Sequence, residues 1–130
     1  MEDVLAAILE SGDPERLYTG LSLLVSAASE GRPARGLVTF GALGAMLDPD
    51  LESRARAATN VIDNEREAFA RTLVGLRDAA AELPDCRIWA CAAAVQAHGA
   101  DWGLVSERLE GVMSTPQFLR EVAGAQLVVV

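Results

Sequence analysis

Five short apolar runs, separated by stretches with helical spacing, constrain this chain more than any other feature of its 130 residues. Val4–Leu9 stops at Glu10-Ser11-Gly12-Asp13-Pro14, and its length and abrupt end favour a buried strand over a helix. Asp13 then reads as an N-cap with Pro14 at the first helical position. The helix that follows carries Leu17, Leu21, Leu24, Val25 and Ala28 on one face and ends at Gly31, with Pro33 beyond. Gly36–Phe40 reads as the second strand, closed by Gly41 and followed by a small-residue segment to Met46-Leu47 and an Asp48-Pro49-Asp50 turn. Leu51–Asn60 reads as helical with a solvated charged face. Asp63 is placed to cap a helix with Phe69, Leu73, Leu76, Ala80 and Leu83 at helical spacing, which Pro84 stops. Cys86–Cys91 is apolar and partly β-favouring, whereas Ala92–His98 is alanine-rich and ends on Gly99, as a short helix does. Leu109–Met113 is a further strand candidate. Ser114-Thr115-Pro116 then starts a helix with Phe118, Leu119 and Val122 on its apolar side, and β-branched Gln126–Val130 is the last strand. Strands alternating with helices predict an α/β fold: one domain over 1–130, with a five-stranded parallel sheet covered on both faces by right-handed crossovers.

Composition narrows the function classes. The formal net charge is −8, and all eleven basic residues are arginine, spread without a cluster. Nucleic acid is therefore not an expected partner, since its binding relies on concentrated positive charge. A chain without lysine has no internal Schiff-base or Walker-type lysine mechanism. The residues are 51% hydrophobic and 23% charged, a balance that leans towards self-association. The N-terminus has no basic n-region and no apolar run approaches the ~20 residues of a membrane span, so no membrane association and a cytoplasmic location are expected. In a reducing compartment the two cysteines rest as thiols.

Cys91 sits at the switch from strand to helix. In open α/β sheets ligands bind outside the carboxyl ends of the strands, where a following helix points its first N–H groups. A thiol there is expected to ionise more readily than free cysteine, which titrates near ~8.5, and the thiolate is the reactive form. The opposing reading is a buried thiol acting as a small hydrophobe. Cys86 is not its disulfide partner: five residues of extended chain span about 16 Å, and an odd offset turns the side chains to opposite faces. Two cysteines and one histidine do not supply a typical structural zinc site, and no cofactor or metal is expected.

Taken together, Ser11-Gly12-Asp13-Pro14-Glu15 leading into a Leu- and Ala-rich helix, the Thr39-Phe40-Gly41 strand end, and Cys91-Ala92-Ala93-Ala94-Val95-Gln96-Ala97-His98-Gly99 resemble the DsrE-like family. That family includes the DsrE/DsrF and TusD sulfur-relay proteins and relatives labelled peroxiredoxin-like. The resemblance covers nearly the whole chain. It implies a three-layer α/β/α sandwich, assembly into homotrimers or hexamers, and a cysteine that accepts sulfane sulfur as a persulfide from a donor protein and yields it to an acceptor. On this chain that role falls on Cys91. His98 stands where sulfur-relay members often have arginine, which would make an electrostatic task there pH-dependent.

The remaining candidates follow from the residues. Ser11, Gly12 and Gly41 come after the first two strands, so their loops border the same edge as Cys91. They either offer N–H groups to an anion or persulfide or simply make turns. His98, about 10 Å along a helix from Cys91, reads as a C-terminal cap or surface group rather than a base. Trp89 and Trp102 read as packing residues, Trp102 near a helix start or subunit contact. Asp101 and Glu107 do not make an acid/base pair. Two functions are expected from this reading: a sulfur carrier or sulfurtransferase acting through Cys91, or a non-catalytic oligomeric module that binds a small ligand or partner. A thiol peroxidase fits less well, because no Thr-x-x-Cys arrangement surrounds either cysteine.

Overall fold

A computed structural model describes residues 3–130 and contains a five-stranded, all-parallel sheet in the order β4-β3-β2-β1-β5. The strands are β1 (Leu5–Leu9), β2 (Ala34–Val38), β3 (Cys86–Cys91), β4 (Val112–Met113) and β5 (Gln126–Val129). The helices are α1 (Pro14–Ser29), α2 (Phe40–Leu47), α3 (Leu51–Ala55), α4 (Arg66–Glu82), α5 (Ala92–His98), α6 (Trp102–Arg108) and α7 (Thr115–Glu121). The architecture is the α/β/α sandwich expected from the alternation of elements.

Local signals account for most boundaries. Asp13 accepts from the Arg16 N–H, and Pro14 opens α1. Ser114 and Gln117 form a full capping box at the start of α7. Gly99, at φ 58°, ends α5 in the left-handed region that favours glycine. Several boundaries differ from the sequence reading, among them the fourth strand, which is Val112–Met113 rather than Leu109–Met113 because Leu109 closes α6. The second strand is Ala34–Val38 rather than Gly36–Phe40, because β2 pairs residue for residue with β1 and β3 and that ladder ends at Val38. The segment from Phe40 to Leu47 is a helix, since its small residues let it bury Ala42, Leu43, Ala45, Met46 and Leu47. Helix α3 stops at Ala55, well before Asn60, and Asp63 does not cap α4 but lies in a 3₁₀ turn, where its carboxylate pairs with Arg66 Nε at 3.0 Å.

Strand alternation assigns the two faces. Gly36 lies between Leu24 of α1 and Ile88, so α1 covers the Gly36/Ile88 face, and α4 packs beside α1 there. On the opposite face, Trp89 meets Phe118 of α7 with ring centroids 6.4 Å apart. The sandwich is lopsided. The α1/α4 side has two helices of 16 and 17 residues, whereas α7 has seven and leaves Leu127 and Val129 of β5 exposed on its face. Phe118 is fully buried and anchors this thinner layer.

Candidate functional site

The carboxyl ends of β1, β2 and β3 lie side by side, and the sequence candidates fall on the loops leaving them. After β1, Ser11 Oγ accepts from the Asp13 N–H at 3.0 Å, so its hydroxyl is engaged in forming the turn into α1. After β2, Thr39 remains extended and its N–H donates to the Leu9 carbonyl at 2.9 Å, carrying the pairing with β1 one step beyond the ladder. Gly12 and Gly41 then meet backbone to backbone. A Cβ added to Gly12 would stand 2.5 Å from the Gly41 carbonyl oxygen, and one added to Gly41 would stand 2.8 Å from the Gly12 nitrogen. Neither glycine has a positive φ, so close approach rather than a left-handed turn is what excludes a side chain. Arg54 holds the same corner: its Nη2 donates to the Gly12 carbonyl at 3.1 Å, while its Nη1 pairs with Asp48 at 2.9 Å.

Cys91 is the last residue of β3 and the N-cap residue of α5. Its neighbour on the outer side is Met113 of β4, and on the inner side the β2–β3 register brings Thr39 alongside. Alternation puts it on the Trp89 face, towards α7. Its side chain makes no capping hydrogen bond and no disulfide, yet the residue is buried, with 4% of its surface exposed. The elements next to it along the chain and across the sheet are short: α5 has seven residues and β4 two. Cys91 therefore shares a sheet edge with Ser11, Gly12 and Gly41, but β2 lies between it and the β1 loop.

Phe40 is a feature the sequence reading missed. It is the one described non-glycine residue with a positive φ, 36°, and its ring is 47% exposed. A bulky side chain in that region stores on the order of 1–3 kcal/mol. The chain needs the sharp bend there because β2 must turn into α2 while Gly41 is pinned against Gly12. Its ring lies against that of His98, with centroids 5.9 Å apart. His98 is the exposed last residue of α5, where a helix end favours a basic group. Glycine after Phe40 was the available hint, but only the Gly12 contact gives it meaning.

Of the two tryptophans read as packing residues, Trp89 packs on Phe118 and Trp102 does not pack. Trp89 is half-buried, whereas Trp102 opens α6 and is 62% exposed. Asp101 accepts from the Gly103 and Leu104 N–H groups at 2.8 and 3.2 Å, so its carboxylate is occupied as a helix cap. Among the described residues no group of three or more His, Cys, Asp or Glu side chains is placed to hold a metal ion, and no helix is long and apolar enough to cross a membrane. Compared with protein-family models and with curated proteins, the chain matches none.

Proposed function

We propose that this protein is a sulfur carrier of the DsrE-like kind, in which Cys91 receives sulfane sulfur as a persulfide and passes it on. The observation that carries the reading is the position of Cys91, the final residue of a parallel strand at the sheet's carboxyl edge, with a thiol engaged neither in a disulfide nor in the α5 cap. The step needs little else. The Cys91 thiolate attacks the outer sulfur of a donor persulfide, a new S–S bond forms, the donor's S–S bond breaks, and the donor leaves as a thiolate. No net oxidant is consumed, and the reverse exchange with an acceptor thiol releases the sulfur.

Burial of Cys91 makes opening of its cover part of the proposal. The two-residue β4 and the seven-residue α5 are elements whose local unfolding costs less than global unfolding. Mass spectrometry after incubation with a sulfane donor is expected to give a gain of one sulfur on Cys91, lost in Cys91→Ser. No gain under conditions in which an alkylating reagent, added to a parallel sample in place of the donor, reacts fully with Cys91 sinks the relay.

That same 4% exposure favours a second reading, a binding module of the same fold in which Cys91 only packs. It predicts that Cys91 resists alkylation in the native protein and that Cys91→Ala keeps the fold and its ligand. Self-association into a homotrimer or hexamer belongs to either reading and is supported by Leu119, Leu127 and Val129, exposed on the thinly covered α7 side. Light scattering on the purified chain tests it, and a monomer at all concentrations rejects it.

A further inference from the structure

β5 is the last strand at one side of the sheet, and only its inner edge is paired. The Gln126 N–H donates to the Val4 carbonyl and the Val130 N–H to the Ile8 carbonyl, while the Val130 carbonyl accepts from the Glu10 N–H. Even-numbered residues therefore turn their backbone groups towards β1, and strand alternation turns those of Leu127 and Val129 outwards. Neither has a backbone partner among the described residues. Both side chains are exposed as well, Leu127 at 43% and Val129 at 62%, on the face that α7 covers thinly.

An open edge is a template for another strand, and native proteins blunt it with a charged residue, a proline, a bulge or a very short strand. β4, at the opposite side, is only two residues long. β5 has no such device: Gln126–Val130 carries no charge and no proline, and its register with β1 runs without a bulge. The charges beside it also have a direction. Arg32 Nη2 donates to the Gln126 side chain at 2.7 Å at one end of the strand, and Glu10 is bonded through its N–H to Val130 at the other. Antiparallel pairing of two copies sets each Arg32 end beside the other's Glu10 end, whereas parallel pairing sets like beside like.

We propose that β5 pairs with β5 of a second copy of this chain, antiparallel and about a two-fold axis at Val128, joining the two sheets edge to edge. Leu127 then exchanges hydrogen bonds with the second copy's Val129, and Val129 with its Leu127, so the outward groups of both residues are met. Directly opposite residues share a face, which sets Leu127 against Val129 twice across the contact and covers the exposed side chains. Val128 meets its own counterpart on the axis, at the non-hydrogen-bonded spacing of about 4.5 Å between Cα atoms. Two strands of this length make a small interface, below the ~1,200 Å² of stable complexes, so the dimer is weak and exchanges. The contact is independent of the chemistry at Cys91. It specifies the self-association offered with either reading above, since a two-fold contact builds a dimer or a hexamer and never a simple trimer.

The test is sedimentation equilibrium of the full chain from ~1 µM to ~1 mM, where dissociation in the micromolar range is expected. Val129→Pro removes an outward N–H and no bond to β1, a place where an edge strand tolerates proline. It is expected to weaken association about tenfold or more and to leave the melting temperature little changed. Leu127→Lys and Val129→Glu are each expected to weaken it about threefold, and the two together to recover the loss, because the new charges stand opposite one another. Val128→Cys reads the same contact without relying on those variants. Mild oxidation is expected to link two copies through it, and to link Leu127→Cys or Val129→Cys about tenfold more slowly, since neither faces its own counterpart. A monomer at ~1 mM, a trimer alone, or Val128→Cys linking no faster than its neighbours overturns the proposal. So does undiminished association in Val129→Pro, or a double charge variant weaker than either single one.

Discussion

The two ends of β3 carry the two cysteines, each 4% exposed, yet their settings differ. Cys86 begins the strand on the heavily covered face, in the wall of a cavity shared with Met46, Ile88 and α6 residues. Burial pushes its thiol up to about 11, with Glu110 adding to the rise and Arg35 opposing it. It is a protonated core thiol at neutral pH. Cys91 ends the strand on the thinner face, where its outer neighbour belongs to a two-residue strand and the chain turns at once into a seven-residue helix. Equal exposure therefore does not mean equal access. What separates the two sites is how much structure must open to reach each one.

The largest effect is expected from Phe118→Ala, which empties the anchor of α7 against Trp89 and is expected to cost about 3–5 kcal/mol. Alkylation followed by peptide mapping is expected to speed up more at Cys91 than at Cys86. Equal acceleration would mean that both thiols are reached only by global unfolding, and the contrast between the two ends fails. Next comes pH. Cys86 holds its proton more tightly folded than unfolded, so its contribution to stability is fully present below its ordinary value of 9.0 and disappears as pH rises to about 11. The loss is on the order of 2–3 kcal/mol. Denaturant melts from pH 8 to 11 are expected to show this decline, and Cys86→Ala is expected to flatten it while Cys91→Ala leaves it in place.

A smaller loss, about 2 kcal/mol, is expected for Gly12→Ala, whose methyl would press on the Gly41 carbonyl in a corner with no flexible side chain to yield. Thermal unfolding reads it. A neutral result would mean that the β1 and β2 loops are free to separate, contrary to the contact that bends Phe40. The mildest change is Ser114→Ala. Losing half of the capping box is expected to cost about 1 kcal/mol and to loosen the segment that follows Met113, the partner of Cys91. The ratio of Cys91 to Cys86 alkylation rates is expected to rise; an unchanged ratio would show that α7 does not control access to Cys91.

Much of this arrangement was legible in the residues. Asp13-Pro14, Ser114-Thr115-Pro116 and Gly99 are local devices that act within a few residues, so the boundaries they set are readable without a fold. The switch at Cys91 was legible for the same reason. Phe40–Leu47 was not, because a run of small and apolar residues satisfies helix and irregular chain alike until its buried face finds a partner. Arg77 hid in plain sight. Its spacing from Leu73 and Ala80 puts it on the apolar face of α4, but a cation there makes sense only once the carbonyl end of α2 arrives to receive it.

By itself, the order of residues determined the α/β class, the strand-to-helix turn at Cys91 and the exclusion of lysine chemistry, since each rests on periodicity, short-range capping or simple composition. Tertiary structure alone decided that Gly12 must touch Gly41, that Phe40 must adopt a left-handed backbone, and that Arg77 of α4 and Arg108 of α6 share one cavity. These are contacts between segments far apart in the chain. Their energies come from packing and desolvation in three dimensions, and no local pattern encodes them.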